Sequence, residues 1–191
     1  AAKVFETSLD DVTGDMRRKA KMVNFGIVYG ISPFGLSERL NIPRGEAAEL
    51  INAYFNQYPG IKNYMDTTIQ NAKKDGYVTT MMGRKRYLRD INSNNNTVRQ
   101  FAERNAINAP VQGSSADMIK VAMIRIYEVM TKKMMKSRMI LQVHDELVFD
   151  VVKDELDEMK AIAEEHMKGA LKLDVPVIVD MNTGSNWLEA H

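Results

Sequence analysis

The apolar positions of the first half of the chain are mainly helical in pattern, while the second half alternates helical spacing with short β-rich runs. Asp10 to Asp15 offers capping residues before an opening helix that should end near Gly30, ahead of Ser32-Pro33. A second helix is predicted from Pro43, a favoured first-turn position, to about Tyr58, where Pro59-Gly60 stops it. A third covers Ile61 to Lys74, with Gly76 as its terminator. The run GYVTTMMGRKRYL holds two short strand-like stretches around Gly83 and reads as a hairpin with a basic tip. Asn92 to Asn96 suits neither helix nor strand and reads as a loop, so the chain is divided there into 1–96 and 97–191.

After the loop the pattern predicts a helix from about Thr97 to Ile107, interrupted near Pro110. Ser114 with Asp117 then resembles a capping box for a long amphipathic helix to about Met135, with Met118, Val121, Ala122, Ile124 and Val129 near helical spacing. MILQV and LVFDVV are two β-rich runs separated by His144-Asp145-Glu146, a second hairpin. A charged helix from about Lys153 to Leu171 and a last strand, VPVIVDM, complete an α+β pattern of antiparallel sheet with helices packed on one side. There is no internal repeat.

Composition narrows this only in places. A net charge of +1 conceals an uneven spread: Lys73 to Arg104 carries eight Lys or Arg against three acids, and Lys153 to Lys168 carries three Lys against six acids. One face meeting a polyanion would produce such asymmetry, although a solvated charge run is the commoner meaning of either segment alone. Zero cysteines exclude disulfides and thiolate metal sites and fit a reducing, cytoplasmic location. No run of roughly 18 apolar residues and no signal-peptide pattern occurs, so neither membrane insertion nor secretion is expected.

The helical pattern acquires chemistry in RRKAKMVNFGIVYG. Arg17, Lys21, Phe25 and Tyr29 recur at four-residue spacing, and a drift of about 40° per step keeps them in one stripe. A core-facing stripe should not begin with two cations. Near a helix N-terminus, where free N–H groups and the dipole also favour anions, they suit a polyanion such as a triphosphate, and a ring further along could stack on a base. Gly26 and Gly30 point to a close approach to the backbone. The plainer alternative is a surface helix with a half-buried Phe and Tyr.

Two further clusters stand out. Asp145 and Glu146 at a rigid hairpin tip could coordinate a divalent metal through oxygen, although Asp is also common in ordinary turns. Arg104, Asn108 and Gln112 continue at four-residue intervals, with Arg99 and Gln100 just before. Such side chains can reach the acceptors of a nucleic-acid minor groove, or can form a solvated helix face.

Together these blocks resemble the family A DNA polymerases, in their C-terminal part, from the first residue to the last. RRKAKMVNFGIVYG is similar to motif B on the mobile fingers helix, and QVHDELVF to motif C, the palm hairpin. NIPR, YPGI, GYVTTMMGRKRYL, ERNAINAPVQGSSAD and NWLEAH match in order. The resemblance implies a helical fingers subdomain over 1–96 and the C-terminal part of an antiparallel palm over 97–191. It also implies template-directed addition of a dNTP to a primer 3′ end, with release of pyrophosphate. Arg17 and Lys21 would hold the triphosphate, Phe25 would pack on sugar and base, and Tyr29 would border the nascent pair. Arg104, Asn108 and Gln112 would touch the primer–template minor groove, with His144 near the primer end. Asp145, supported by Glu146, would bind Mg²⁺ in a two-metal site.

The family takes its second carboxylate cluster from motif A, a palm strand upstream of motif B, and nothing before Arg17 matches it. The chain is therefore expected to be a fragment, inactive alone, of a DNA-directed DNA polymerase. An apolar strand edge left open there would favour self-association. A non-catalytic nucleic-acid-binding module and a phage-type single-subunit RNA polymerase are the alternatives, and Phe25 and the NWLEAH ending favour the DNA enzyme.

Overall fold

The computed structural model describes every residue except Lys3, Val4, Glu6 and His191. The chain forms two compact units, Ala1–Val111 and Gln112–His191. The boundary between the two units falls inside a helix.

In the first unit α1 (Gly14–Val28), α2 (Pro33–Leu40), α3 (Arg44–Gln57) and α4 (Pro59–Asp75) precede an antiparallel hairpin of β1 (Tyr77–Thr79) and β2 (Lys85–Tyr87). Thr13 caps α1, its hydroxyl accepting the Met16 N–H at 3.2 Å. The helix ends in a Schellman turn at Gly30: the Ile31 N–H donates to the Gly26 carbonyl at 2.8 Å and the Gly30 N–H to that of Ile27 at 2.9 Å. Gly30 has φ +74°, which a residue with a Cβ adopts only at a cost. Val23 and Ile27 of α1 are buried with Leu36 of α2 and Ala47 of α3. A second core joins Ala72, Val78, Leu88 and Ile91 to Ala102, Ala106 and Ala109.

The helix α2 was not expected from the sequence. Ser32-Pro33, read there only as a stop, also starts it: Ser32 Oγ accepts the Gly35 N–H at 3.1 Å, and Pro33 sits in the first turn, where its missing N–H costs nothing. The anticipated loop caps the next helix, α5 (Asn96–Lys132), since Asn95 Oδ1 accepts from the N–H groups of Thr97 and Val98.

The expected break near Pro110 does not occur: α5 runs 37 residues with Pro110 inside it. Proline in a helix interior costs about 3 kcal/mol. Burial on both sides offsets this, through Ala102, Ala106 and Ala109 in the first unit and Ala122, Ile126 and Met130 in the second. Ser114 and Asp117 are consequently buried mid-helix instead of capping a new one.

In the second unit α5 is followed by the antiparallel hairpin β3 (Arg138–Val143) and β4 (Glu146–Asp150), a short 3-10 turn over Lys153–Glu155, α6 (Leu156–Lys168) and α7 (Trp187–Ala190). Met159 and Ile162 of α6 pack with Ile126 and Met130, and Met139, Leu147 and Phe149 of the hairpin line that core. The α+β class is as expected from the pattern. The last strand, VPVIVDM, is not formed: no described strand pairs with Val175–Met181, Pro176 has no N–H to give, and Val175 and Ile178 are largely exposed. β-rich composition makes a strand only when a neighbouring backbone supplies the ladder.

A single carboxylate ties the start of β3 to the turn before α6. Glu155 accepts from the backbone N–H groups of Lys136 at 3.0 Å and Ser137 at 2.8 Å, and from the Ser137 hydroxyl. That hydroxyl in turn accepts the Val152 N–H at 3.0 Å. The Lys136 N–H first, then the Ser137 hydroxyl and N–H, hold the Glu155 carboxyl below the usual glutamate range. A depressed folded pKa means stability present above the ordinary glutamate pKa and lost as pH falls through the folded value. We expect Glu155→Gln, which mimics the protonated form, to lower the urea midpoint at neutral pH, with the difference from the parent chain closing in acid. A difference independent of pH would refute the assignment.

Candidate nucleotide and nucleic-acid sites

The first unit's site is built on the solvent side of α1. Burial of Ala20, Val23, Gly26 and Ile27 fixes the rotation of the helix and leaves Arg17, Lys21, Phe25 and Tyr29 exposed along one stripe, as the spacing predicted. Phe25 is 60% and Tyr29 39% exposed, and their rings stack with centroids 6.2 Å apart and planes within 17°. Asp15 is the acid of the first turn, and it pairs with Arg18 and Lys19. The hydrogen bond from Lys19, with Arg18 adding to it, holds the Asp15 carboxyl below its ordinary range. Arg17 and Lys21 form no ion pair among the described residues. The surface is thus two uncompensated cations followed by a two-ring shelf.

The end of this shelf meets α5. A Cβ on Gly30 would lie 3.1 Å from Arg104 Cγ, so the Arg104 stem crosses the backbone at the α1 C-terminus. The Arg104 guanidinium lies 5.9 Å from the Phe101 ring. One turn on, Asn108 Oδ1 is buried without a hydrogen-bond partner, an open polar group of the kind an external ligand satisfies. Tyr64 of α4 anchors this part of α5 by donating to the Ile107 carbonyl at 3.1 Å. Arg99 is used differently, bonding the Ser93 carbonyl and Asn96 at the helix start.

In the second unit, His144 and Asp145 form the loop of the β3–β4 hairpin, and Glu146 opens β4 opposite Val143. His144 has φ +52°, the hand that a two-residue hairpin loop needs, and its carbonyl accepts from Gln142 Nε2 at 2.6 Å. This holds Asp145 out in solvent, with Glu146 half-buried. The hairpin tip borders an open cleft lined also by Gln112, Ser115 and Asp180. Asp180 was missed in the sequence because it lies in the run read as a strand. Among the described residues no three possible His, Cys, Asp or Glu ligands come together. Asp145 and Glu146 are hard oxygen donors, and one or two carboxylates with substrate phosphates and water suffice for one Mg²⁺ ion. They fit part of a divalent-cation site.

The structure thus presents an exposed cation-and-ring helix face in the first unit and a carboxylate-bearing hairpin in the second, on an α+β scaffold. A sequence profile for DNA polymerase family A matches residues 1–189, and the chain belongs to that family. It is 50% identical over 190 residues to the DNA polymerase I of Bacillus caldotenax, covering 100% of this chain and 22% of the relative. It is 49% identical over 190 residues to that of Bacillus subtilis, with coverage of 100% and 22%. The solved POL domain of Pol1 from M. smegmatis, in complex with DNA primer-template and dNTP, shares 42% identity and a TM-score of 0.93, covering 99% of this chain and 33% of that one. The chain spans about a fifth of the length of the curated relatives it matches.

Gly30 is the position where backbone and site are most tightly coupled. We expect Gly30→Ala to cost about 1–2 kcal/mol in urea unfolding, since Ala meets both the left-handed backbone and the Arg104 stem. A loss of only a few tenths would show that neither constraint holds.

Proposed function

We propose that this chain is the fingers and C-terminal palm portion of a DNA-directed DNA polymerase, with 1–96 as fingers and 97–191 as palm. The observation that carries this reading is the exposed Arg17, Lys21, Phe25, Tyr29 stripe, whose cations have no ion-pair partner among the described residues. The likeness to a polymerase domain solved with primer-template and dNTP supports it.

In this reading Arg17 and Lys21 take the triphosphate as point charges and hydrogen-bond donors, Phe25 packs on its sugar and base, and Tyr29 borders the nascent pair. Arg104, Asn108 and Gln112 contact the minor groove of the primer–template, Arg104 and Gln112 donating to its acceptors and the open Asn108 Oδ1 accepting from a guanine amino group, and His144 lies near the primer end. The reaction joins the primer 3′ oxygen to the α-phosphorus and breaks the bond to the departing pyrophosphate. Asp145, with Glu146 beside it, would hold Mg²⁺, which when bound lowers the pKa of the attacking hydroxyl and stabilises the leaving oxygens. Everything else these residues do is positioning and charge stabilisation, which is why cations, rings and carboxylates recur without a covalent nucleophile. The second carboxylate group has no counterpart in these 191 residues, so the chain by itself does not extend a primer.

The test replaces the matching segment of Bacillus subtilis DNA polymerase I with this chain, 49% identical to it. The chimera should extend a primer while the 191-residue chain alone does not. Lys21→Ala in the chimera should lower kcat/KM for dNTP by about 100-fold with duplex affinity within about two-fold, as expected for loss of a charged transition-state contact. A folded chimera that binds gapped DNA without extending it supports the non-catalytic binding module instead.

A further inference from the structure

The β1–β2 hairpin is used by none of the roles above, yet its exposed face has a distinct chemistry. Val78 is buried at 7% against Leu88, Ile91 and Ala72, which pins one side of the hairpin to the core. Arg86, paired with Val78, belongs to that side, while on the opposite side Tyr77 pairs across the strands with Tyr87, and Thr79 with Lys85. The two tyrosine rings meet edge to face at 5.9 Å, and Lys85 Nζ lies 4.2 Å from the centre of the Tyr77 ring. This arrangement holds the Tyr87 ring upright while leaving it 70% exposed. All of β2, Lys85 to Tyr87, is exposed.

Charge surrounds the ring. From Gly76 to Asn95 there are four Lys or Arg, at 84, 85, 86 and 89, against the single acid Asp90. Lys85 and Arg89 enter no ion pair among the described residues. At the turn, Gly83 adopts φ +79°, and the Thr80 hydroxyl accepts the Arg84 N–H at 3.2 Å, so the tip is an ordered loop. Met81 and Met82 are 60% and 54% exposed beside it.

A rigid aromatic face interleaved with uncompensated cations is what single-stranded nucleic acid requires: a flat surface for a base and positive charge for the flanking phosphates. A duplex offers the same phosphates, but its bases are already stacked. We infer that the Tyr77–Tyr87 face of the β1–β2 hairpin is a docking surface for an unpaired nucleic-acid strand, with Tyr87 stacking on a base and Lys85, on the same face, and Arg89, just past β2, holding its phosphates. This rests on the reading of the chain as a DNA-engaging polymerase segment and adds a strand contact separate from the α1 stripe and the α5 row.

The experiment measures binding of three fluorescent probes to the full 191-residue chain: a mixed-sequence single strand, a blunt duplex, and an abasic strand of equal length. Tyr87→Ala should weaken single-strand binding about ten-fold, Tyr87→Phe should retain it, and neither should alter duplex or abasic-strand binding. Lys85→Ala with Arg89→Ala should weaken single and abasic strands alike and reduce the slope of log affinity on log salt by about 1.4. Equal losses on all probes with Tyr87→Ala, or none on the single strand, would overturn the proposal. So would equal competition by a base-free polyphosphate, which would mark a charge site only. If Tyr87→Ala fails to fold, the Lys85 and Arg89 variant and the abasic comparison on the parent chain decide alone. A dNTP titration of the same chain with Lys21→Ala separates the two readings. Strand binding that depends on Tyr87 without dNTP binding removes support for the nucleotide site and leaves the hairpin; the reverse result removes the hairpin alone.

Discussion

The burial of Val23 and Ile27 is the contact on which the chemistry of the first unit depends. They lie one helical turn apart, are 2% and 1% exposed, and seat α1 against Leu36 and Ala47. Each is worth roughly 1.5–3 kcal/mol in area removed from water. Turning the helix by one residue, about 100°, would withdraw this pair and bring polar Lys and Asn side chains toward the core. The packing therefore selects one rotation, and that rotation puts Arg17, Lys21, Phe25 and Tyr29 in solvent. The stripe is exposed because the opposite face has no freedom to turn.

The position of the stripe along the chain is fixed by its end. The Schellman turn at Gly30 satisfies the last carbonyls of α1 and reverses the backbone immediately after Tyr29. Absence of a Cβ at that point lets the Arg104 stem cross at contact distance. Two elements far apart in sequence thus share one small patch, with a ring on one side and a cation on the other. The side chains pay for none of this themselves; helix packing, the turn and the Tyr64 bond to Ile107 hold them.

Much of this was legible in the sequence, for local reasons. Helix faces follow from spacing, so the α1 stripe and the buried positions opposite it could be read directly, and Gly76 ends α4 in the left-handed conformation its terminal role anticipated. The hairpin around His144-Asp145-Glu146 was legible because strand and turn residues alternate sharply there. What failed depended on partners distant in sequence. Pro110 reads as a break because local rules cannot see that alanines before it and Ile126 and Met130 after it are both buried. VPVIVDM reads as a strand because composition does not say whether a ladder partner lies beside it, and Asp180 was hidden inside that reading. The loss of α2 was a different error: Ser-Pro both ends one helix and begins another, and only the first meaning was taken.

The two hairpins put one motif to two geometric uses. In β1–β2 the loop is incidental and the face matters: a buried Val78 on one side is what makes a stable aromatic surface on the other. In β3–β4 the face packs into the core through Met139, Leu147 and Phe149, and the loop matters. There His144 takes the positive φ, so the next residue emerges at the tip with its carboxylate in water. Adjacent carboxylates repel, and burying both would add a desolvation cost of several kcal/mol per ion. Keeping Asp145 exposed lets water screen that repulsion. The same holds for Arg17 and Lys21 with the sign reversed: both cations sit on a rigid helix, solvated and without an internal counter-ion that a ligand would have to displace.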